Sequence, residues 1–340
     1  MTHIIRVAGS DIEFASEDGE TILDAAERAG FALPYSCRKG VCATCEGGLR
    51  AGRVALGRSE VASGPAEGVK FCLARSETDC EIAPSSIEHS EPPARKTFNA
   101  SVHAIERPTA DVAILHLRLP IGRRAPFRAG QYVRLMLEGG ETRNFSLANP
   151  PHDNASVELH VRRVPGGRFS DRAMAELSFG DTVRLELPYG RAVLDDSDAP
   201  IVMLATGTGF APLKSMVEDL AYRRLARPVH LYWGAAAEGD LYQAALARRW
   251  AATHPWFQFT PVLSHPAAGW SGATGFVQDM ALADHPDLSS HQVFACGNPG
   301  MVESARQLFL RRGSLQEGAF HADAFLPSGT PSPGVLEAVG

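Results

Sequence analysis

At 340 residues the chain is longer than one compact core usually allows, and at about 100–200 residues per domain it is expected to hold two or three. With 44% hydrophobic and 21% charged residues it has the balance of a chain that folds throughout, which excludes a disordered or fibrous protein. A net charge of −6 argues against a phosphate-neutralising nucleic-acid binder, so nucleic acid is not expected among its partners.

The acid excess sits at the front, where residues 1–90 hold 14 Asp or Glu against 9 Lys or Arg, a net −5. Met1-Thr2-His3-Ile4-Ile5-Arg6 lacks the apolar core of a signal peptide, and the longest apolar run, 199–205, is far short of the roughly 20 residues that cross a bilayer. A cytoplasmic protein without a membrane partner is expected. Alternating apolar residues at 5–7 and 12–14 predict strands. Residues 21–29 predict a helix capped by Thr21, with Ile22, Leu23, Ala26 and Ala29 on one face and Gly30 ending it.

Five of the six cysteines lie between 37 and 80. In a reducing compartment that crowding reads as metal ligation rather than disulfides. Cys37, Cys42 and Cys45 follow a C-x4-C-x2-C spacing, and Cys72 comes after 26 intervening residues. This is plant-type [2Fe-2S] spacing, whereas structural zinc usually takes C-x2-4-C pairs. Gly40, Ala43 and Thr44 are small enough for backbone N–H groups to approach the sulfides, and Cys72 is expected on a strand beside the loop. Cys80 fits no ligand slot and reads as a small buried hydrophobe. Residues 1–87 thus resemble a plant-type ferredoxin of β-grasp fold, which implies a one-electron carrier with a potential of about −400 mV. The polar stretch 88–94, with two prolines, reads as a linker.

Short strands at 113–119, 132–137, 156–164 and 183–187 predict an antiparallel barrel or sandwich. Arg143-Asn144-Phe145-Ser146 closes one strand. An arginine can pair with phosphate in fork geometry, an aromatic ring can lie on an isoalloxazine, and a serine hydroxyl can hydrogen-bond its N5 edge. Taken alone, the quartet reads as an exposed strand arginine beside a core Phe. Gly166-Gly167-Arg168-Phe169-Ser170 then opens a helix, where glycines and a helix N-terminus would cradle a pyrophosphate. His160, Val161 and Arg162 lie on the strand before it, and His160 reads as a strand filler rather than a base.

After a polar break at 195–198, apolar strands at 200–205, 229–234, 257–263 and 292–296 alternate with helices near 212–226, 241–251, 275–283 and 299–312. That is the pattern of parallel α/β. Thr206-Gly207-Thr208-Gly209, with Pro212 in the first turn beyond, joins strand to helix in a phosphate-binding context. Cys296-Gly297-Asn298-Pro299-Gly300-Met301 again ends a strand and starts a helix, where Cys296 by itself reads as a buried thiol. A Pro/Gly-rich tail after Leu326 predicts a frayed end.

Arg143–Ser146 resembles the R-x-[YF]-S motif, and 296–301 the C-G-x-P-x-M motif, of the ferredoxin–NAD(P)H reductase family. The resemblance implies flavin held by the 143–146 quartet and the 160–170 stretch, and nicotinamide held by Thr206 to Gly209, Pro212, Gly297, Pro299 and Met301. It places Cys296 against the carbon that gives up hydride, with Thr208 beside it and Ser146 at the flavin. In that family a terminal aromatic residue covers the flavin, a role for Phe325, which reads equally as an ordinary strand residue. Relatives with an N-terminal cluster carry FAD rather than FMN. The loop after 229–234 holds Glu238 and Asp240 and no Lys or Arg where a 2′-phosphate would want a cation. NADH is therefore expected over NADPH, with Arg223, Arg224 and Arg248 the cations near enough to reach in.

In chain order the three signatures resemble the reductase components of multicomponent aromatic-ring-hydroxylating oxygenases, and 33–40, 145–151 and 161–170 most resemble terephthalate dioxygenase reductases. The expected fold is multidomain α+β and α/β: a β-grasp [2Fe-2S] ferredoxin over 1–90, an antiparallel β-barrel FAD domain over 95–195, and a Rossmann-like parallel α/β nicotinamide domain over 196–330. The implied activity passes electrons from NADH through FAD and the cluster to an external acceptor. No Cys-x-His pair occurs in the sequence, so a Rieske centre is not expected in it. A Rieske-type terminal oxygenase that hydroxylates an aromatic acid is the expected partner, received near Cys37 to Cys45 and steered by the acidic front end. The same resemblance covers reductases of CDP-6-deoxyglucoseen and of diiron monooxygenases; a [2Fe-2S] redox sensor without turnover is the alternative from another class.

Overall fold

The computed structural model describes residues 2–36, 38–40, 43–57, 60–90 and 94–326, so the tail after Leu326 lies outside the described residues. The chain divides into two compact units, one running to Ala94 and one from Arg95. In the first, a five-stranded sheet has the spatial order Glu13–Ser16, His3–Val7, Cys80–Pro84, Glu46–Ala51, Ala66–Lys70. His3–Val7 and Cys80–Pro84 pair parallel and the other neighbours antiparallel. Helix Ile22–Arg28 closes the core of this sheet, which is the β-grasp arrangement the cysteine-bearing segment resembles.

Thr21 caps that helix, its hydroxyl oxygen accepting the Asp24 N–H at 3.1 Å. Ile22 and Leu23 are fully buried, a gain of about 1.5–3 kcal/mol for each side chain. Ala25 takes the buried place expected of Ala29 because the helix stops at Arg28, which leaves Ala29 as an exposed C-cap. The linker also begins later than its composition suggests. Glu88–His89 pairs antiparallel with Phe31–Ala32, giving that backbone strand partners; residues 91–93 lie outside the described residues.

The second unit holds two sheets. The first is antiparallel, in the order Thr142–Ser146, Tyr132–Met136, Thr182–Tyr189, Lys96–Glu106, Val112–Arg118, Ser156–Arg162. Its two edge strands approach each other, closing the sheet into a barrel around Val102, Leu115, Val133, Leu159 and Leu185. The second sheet is parallel, in the order Ala273–Thr274, Phe257–Leu263, Val229–Ala235, Ile201–Thr206, Gln292–Gly297, Phe320–Ala324. Phe320–Ala324 extends the sheet beyond Gln292–Gly297, and Phe325, weighed above as an ordinary strand residue, lies just past its end.

Strand order reverses between Ile201–Thr206 and Gln292–Gly297, the switch point where open parallel sheets bind ligands at their carboxyl ends. Helix Phe210–Arg223 starts beside that point and is seated by Phe210, whose ring stacks on Trp233 with centroids 4.0 Å apart. The Trp233 indole N–H donates to the Gly207 carbonyl at 3.1 Å, fixing the glycine turn from beneath. Among the described residues no helix is long and apolar enough to cross a membrane.

Candidate functional site

In the first unit Cys45 and Cys72 are both buried, and the sheet brings them together. Glu46 stands opposite Lys70 in the strand register, and the Phe71 N–H donates to the Cys45 carbonyl at 3.1 Å. Cys37 and Cys42 lie outside the described residues. Arg38, Gly40 and Ala43 take left-handed φ of 53°, 71° and 56°; for a non-glycine residue this costs about 1–3 kcal/mol, borne only where the surroundings force it. Arg38 supplies part of that force. Its guanidinium lies 4.1 Å from the Tyr35 ring centroid and donates to Asp24 and, at 2.8 Å, to Glu27, tying the loop to the helix. A Cβ at Gly40 would run into the Leu73 side chain. Two neighbouring buried thiols beside a loop forced into tight turns fit a thiolate-bound cluster. The Cys80 thiol instead donates to the Thr78 carbonyl at 3.2 Å, and burial pushes its pKa up.

In the barrel, Arg143-Asn144-Phe145-Ser146 forms the last four residues of an edge strand. Phe145 tilts against Phe169 with centroids 5.4 Å apart, Asn144 faces Arg134 in register, and buried Ser146 reaches Asp323 at 3.5 Å. Arg143 and Arg168 come from separate segments and converge on one carboxylate: Arg143 donates to Glu141 Oε2 at 2.8 Å and Arg168 to Oε1 at 2.6 Å. Two guanidinium groups gripping one anion fit a phosphate as they fit a carboxylate.

The rest of the 160–170 stretch departs from expectation. The helix after the glycines is only six residues, Ser170–Ala175, and the two glycine amides are taken up within the loop. Gly166 N–H donates to Asp171 Oδ2 at 2.7 Å, Gly167 N–H to the Val164 carbonyl at 2.7 Å, and Ser170 Oγ accepts the Val164 N–H at 3.0 Å. The glycine amides are therefore not free for a pyrophosphate, and the cations beside them are Arg143 and Arg168, gathered on Glu141. Val161 and Phe169 turn into the barrel core. The His160 side chain is fully buried, its two nitrogens 2.7 Å from the Tyr242 hydroxyl and 2.8 Å from Glu158, so packing has taken it out of reach of a ligand.

A cavity of about 630 Å³ opens at the switch point and gathers Arg162, Thr206, Gly207, Thr208, Gly297, Met301 and Phe325. Two glycines allow the strand ends to meet there. A Cβ at Gly209 would strike the Cys296 carbonyl, and one at Gly297, whose φ is 124°, would strike Thr206. Asn298 donates its N–H to Thr206 Oγ1 at 2.8 Å and caps helix Pro299–Arg312. Pro299 and Pro212 shape their helix starts and do not line the cavity.

Cys296 is buried beside the cavity, opposite Asp323 in the register, and Phe325 donates its N–H to the Gly297 carbonyl at 2.7 Å. Burial, with the nearby Asp323 charge, pushes the Cys296 thiol well above its usual range and keeps it neutral. Of the cations weighed against NADH, Arg223 pairs with Asp196 and Asp219, Arg248 pairs with Glu238, and neither they nor Arg224 line the cavity. Sequence reasoning gave no role to Asp323, nor to Ser264, Phe276 and Gln278, which also line the cavity. The carboxyl end of Phe257–Leu263, a parallel strand, is the signal that points to Ser264.

The barrel and the parallel sheet are joined by a buried polar lock. Lys214 Nζ, 6% exposed as a residue, donates to the Ala148 carbonyl at 3.2 Å and lies 3.2 Å from Glu158 and 2.9 Å from Glu218. Ser215 Oγ donates to the Asn149 carbonyl at 2.7 Å. Burial would raise Glu158, but the His160 hydrogen bond and the Lys214 charge outweigh it and hold the carboxyl down at about 2.

A β-grasp domain with paired buried cysteines, a barrel ending in an Arg-x-Phe-Ser strand, and a parallel sheet with a cavity at its switch point define an iron-sulfur flavoprotein reductase. Three family models match in that order: the 2Fe-2S iron-sulfur cluster binding domain over 5–77, the oxidoreductase FAD-binding domain over 99–193 and the oxidoreductase NAD-binding domain over 203–307. Terephthalate 1,2-dioxygenase reductase component 1 of Comamonas sp is 41% identical, covering 98% of this chain and all of the relative. The CDP-6-deoxy-L-threo-D-glycero-4-hexulose-3-dehydrase reductase of Yersinia pseudotuberculosis is 39% identical, covering 96% of this chain and all of that one. Among solved structures, the Amycolatopsis cytochrome P450 reductase GcoB superposes with a TM-score of 0.75 at 31% identity, covering 96% of this chain and 99% of its own. The chain belongs to this family of reductase components, an oxidoreductase with [2Fe-2S], FAD and NAD-binding domains.

Proposed function

We propose that the chain draws hydride from NADH and serves as the reductase of a Rieske-type oxygenase acting on an aromatic acid. FAD supplies the conversion of hydride into single electrons, and the [2Fe-2S] cluster carries them onward. Cys37, Cys42, Cys45 and Cys72 would hold the irons. Arg143 and Arg168 would bind the flavin phosphates, with Phe145 beside the ring system and Ser146 hydrogen-bonding its N5 edge. Thr206 to Gly209, Gly297 and Met301 would receive the dinucleotide, Thr208 and Cys296 would border the nicotinamide, and Phe325 would shield the flavin.

The observation that carries this reading is that Ser146 and Cys296 both adjoin Asp323: the barrel strand reaches its carboxylate and the parallel sheet sets Cys296 opposite it in register. The dioxygenase partner rests on the 41% identity to terephthalate dioxygenase reductases. The 39% identity to a dehydrase reductase favours a second reading, in which a sugar dehydrase is the acceptor. The net −5 of residues 1–90 favours a partner with a basic docking face, which ionic strength would weaken. Thiolate ligands suit a reducing cytoplasm.

Anaerobic titration with NADH, following flavin bleaching together with the cluster's paramagnetic signal, tests the donor and both groups. Transfer to purified Rieske oxygenase or sugar dehydrase then separates the two acceptors. A protein whose bound flavin NADH cannot bleach would overturn the reading in favour of a sensor.

A further inference from the structure

We propose that Glu141 is an internal competitor for the flavin pyrophosphate, and that it sets the affinity of the chain for FAD. The proposal rests on the reading that Arg143 and Arg168 bind the FAD phosphates. Both arginines already hold an anion, at 2.8 and 2.6 Å, and that anion is the side chain of Glu141. Carboxylate and phosphate oxygens engage the same guanidinium edge, so one must leave before the other binds.

The surroundings make Glu141 displaceable. Its side chain is 42% exposed, and exposed ion pairs are individually weak. It follows Gly139 and Gly140, both left-handed at φ 81°, where a Cβ would meet nothing within 4 Å. This open turn can re-form without disturbing the barrel core. Both arginines hold the Glu141 carboxyl below its usual range, so at neutral pH it is fully charged and repels an incoming pyrophosphate. Asp171, which caps Gly166 and pairs with Arg163, adds a second carboxylate on the same loop but touches neither arginine that grips Glu141.

The test measures FAD binding to the full-length chain by the rise of free flavin fluorescence on dilution, at low and high salt. Glu141→Gln is expected to bind FAD about three- to tenfold more tightly at low salt, with the gap closing at high salt, and Glu141→Asp to stay near wild type. Equal or weaker binding by Glu141→Gln at low salt, while Arg143→Ala and Arg168→Ala both lose affinity, would overturn the competitor and leave the phosphate-binding arginines standing. If Arg143→Ala and Arg168→Ala bind FAD as tightly as wild type, the arginines do not hold the phosphates and the competitor falls with them.

Discussion

The Ser146 hydroxyl lies 3.5 Å from Asp323 Oδ2, joining the end of a barrel strand to the last strand of the parallel sheet across 177 residues of sequence. Asp323 also stands opposite Cys296 in the strand register, so one residue of the last strand borders groups from both domains. Ser146→Ala is expected to slow NADH-driven flavin bleaching by about 10²-fold, the scale of losing one polar donor at a reacting edge. Asp323→Asn keeps the shape, and a smaller loss of about tenfold is expected. Stopped-flow bleaching with FAD content measured in parallel checks both; full rates in Ser146→Ala would remove the hydroxyl from the chemistry.

Cys45→Ser and Cys72→Ser are expected to abolish the visible iron-sulfur absorbance while leaving the flavin spectrum. Cys80→Ser should retain the cluster, because its thiol is spent on the Thr78 carbonyl. Iron analysis of the three variants decides the matter, and iron lost from Cys80→Ser alone would reverse the ligand assignment.

Lys214→Met leaves the half-buried Glu158 and Glu218 without their buried cation. Removing one partner of a buried pair costs about 3–5 kcal/mol, so a lower urea midpoint is expected for the second unit. Adding Glu218→Gln should restore part of it, since one uncompensated charge is then gone.

A histidine cluster makes the same unit acid-sensitive. His230 lies 3.1 Å from His285 and 2.8 Å from Thr260 Oγ1, Tyr232 donates to Asp284 at 2.7 Å, and the His291 ring is 5.4 Å from His285. Burial, then the His285 charge, lowers His230 from 6.5 to about 4, and burial lowers His285 and His291 as well. Between those values the unfolded chain binds more protons than the folded one, so stability is full above pH 6.5 and falls as pH drops toward 4. Melting temperature should decline across that window, and His230→Gln should flatten the decline. An unchanged slope in the variant would assign the acid sensitivity to other groups.

No arginine other than Arg162 lines the cavity at the switch point among the described residues, and Glu238 engages Arg248. NADH should therefore exceed NADPH by at least about tenfold in kcat/KM, read from ferricyanide reduction. Comparable values for the two would mean that a cation reaches the 2′-phosphate.

The architecture was legible because its signals are local. Cysteine spacing, the glycine turn after Ile201–Thr206 and the Asn298-Pro299 helix start each sit within a few residues, and backbone geometry makes such motifs self-contained. Tertiary packing decided what the intervening side chains do. His160, Val161 and Phe169 lie in a stretch that resembles a cofactor segment, yet core burial and the Tyr242 and Glu158 hydrogen bonds claim them. The glycine amides meet Asp171 and Val164 instead of solvent because a loop backbone closes on its nearest acceptors. Asp323 gained its place only when a strand carried it beside Cys296 and the barrel set Ser146 against it, a meeting of distant segments that no residue spacing encodes.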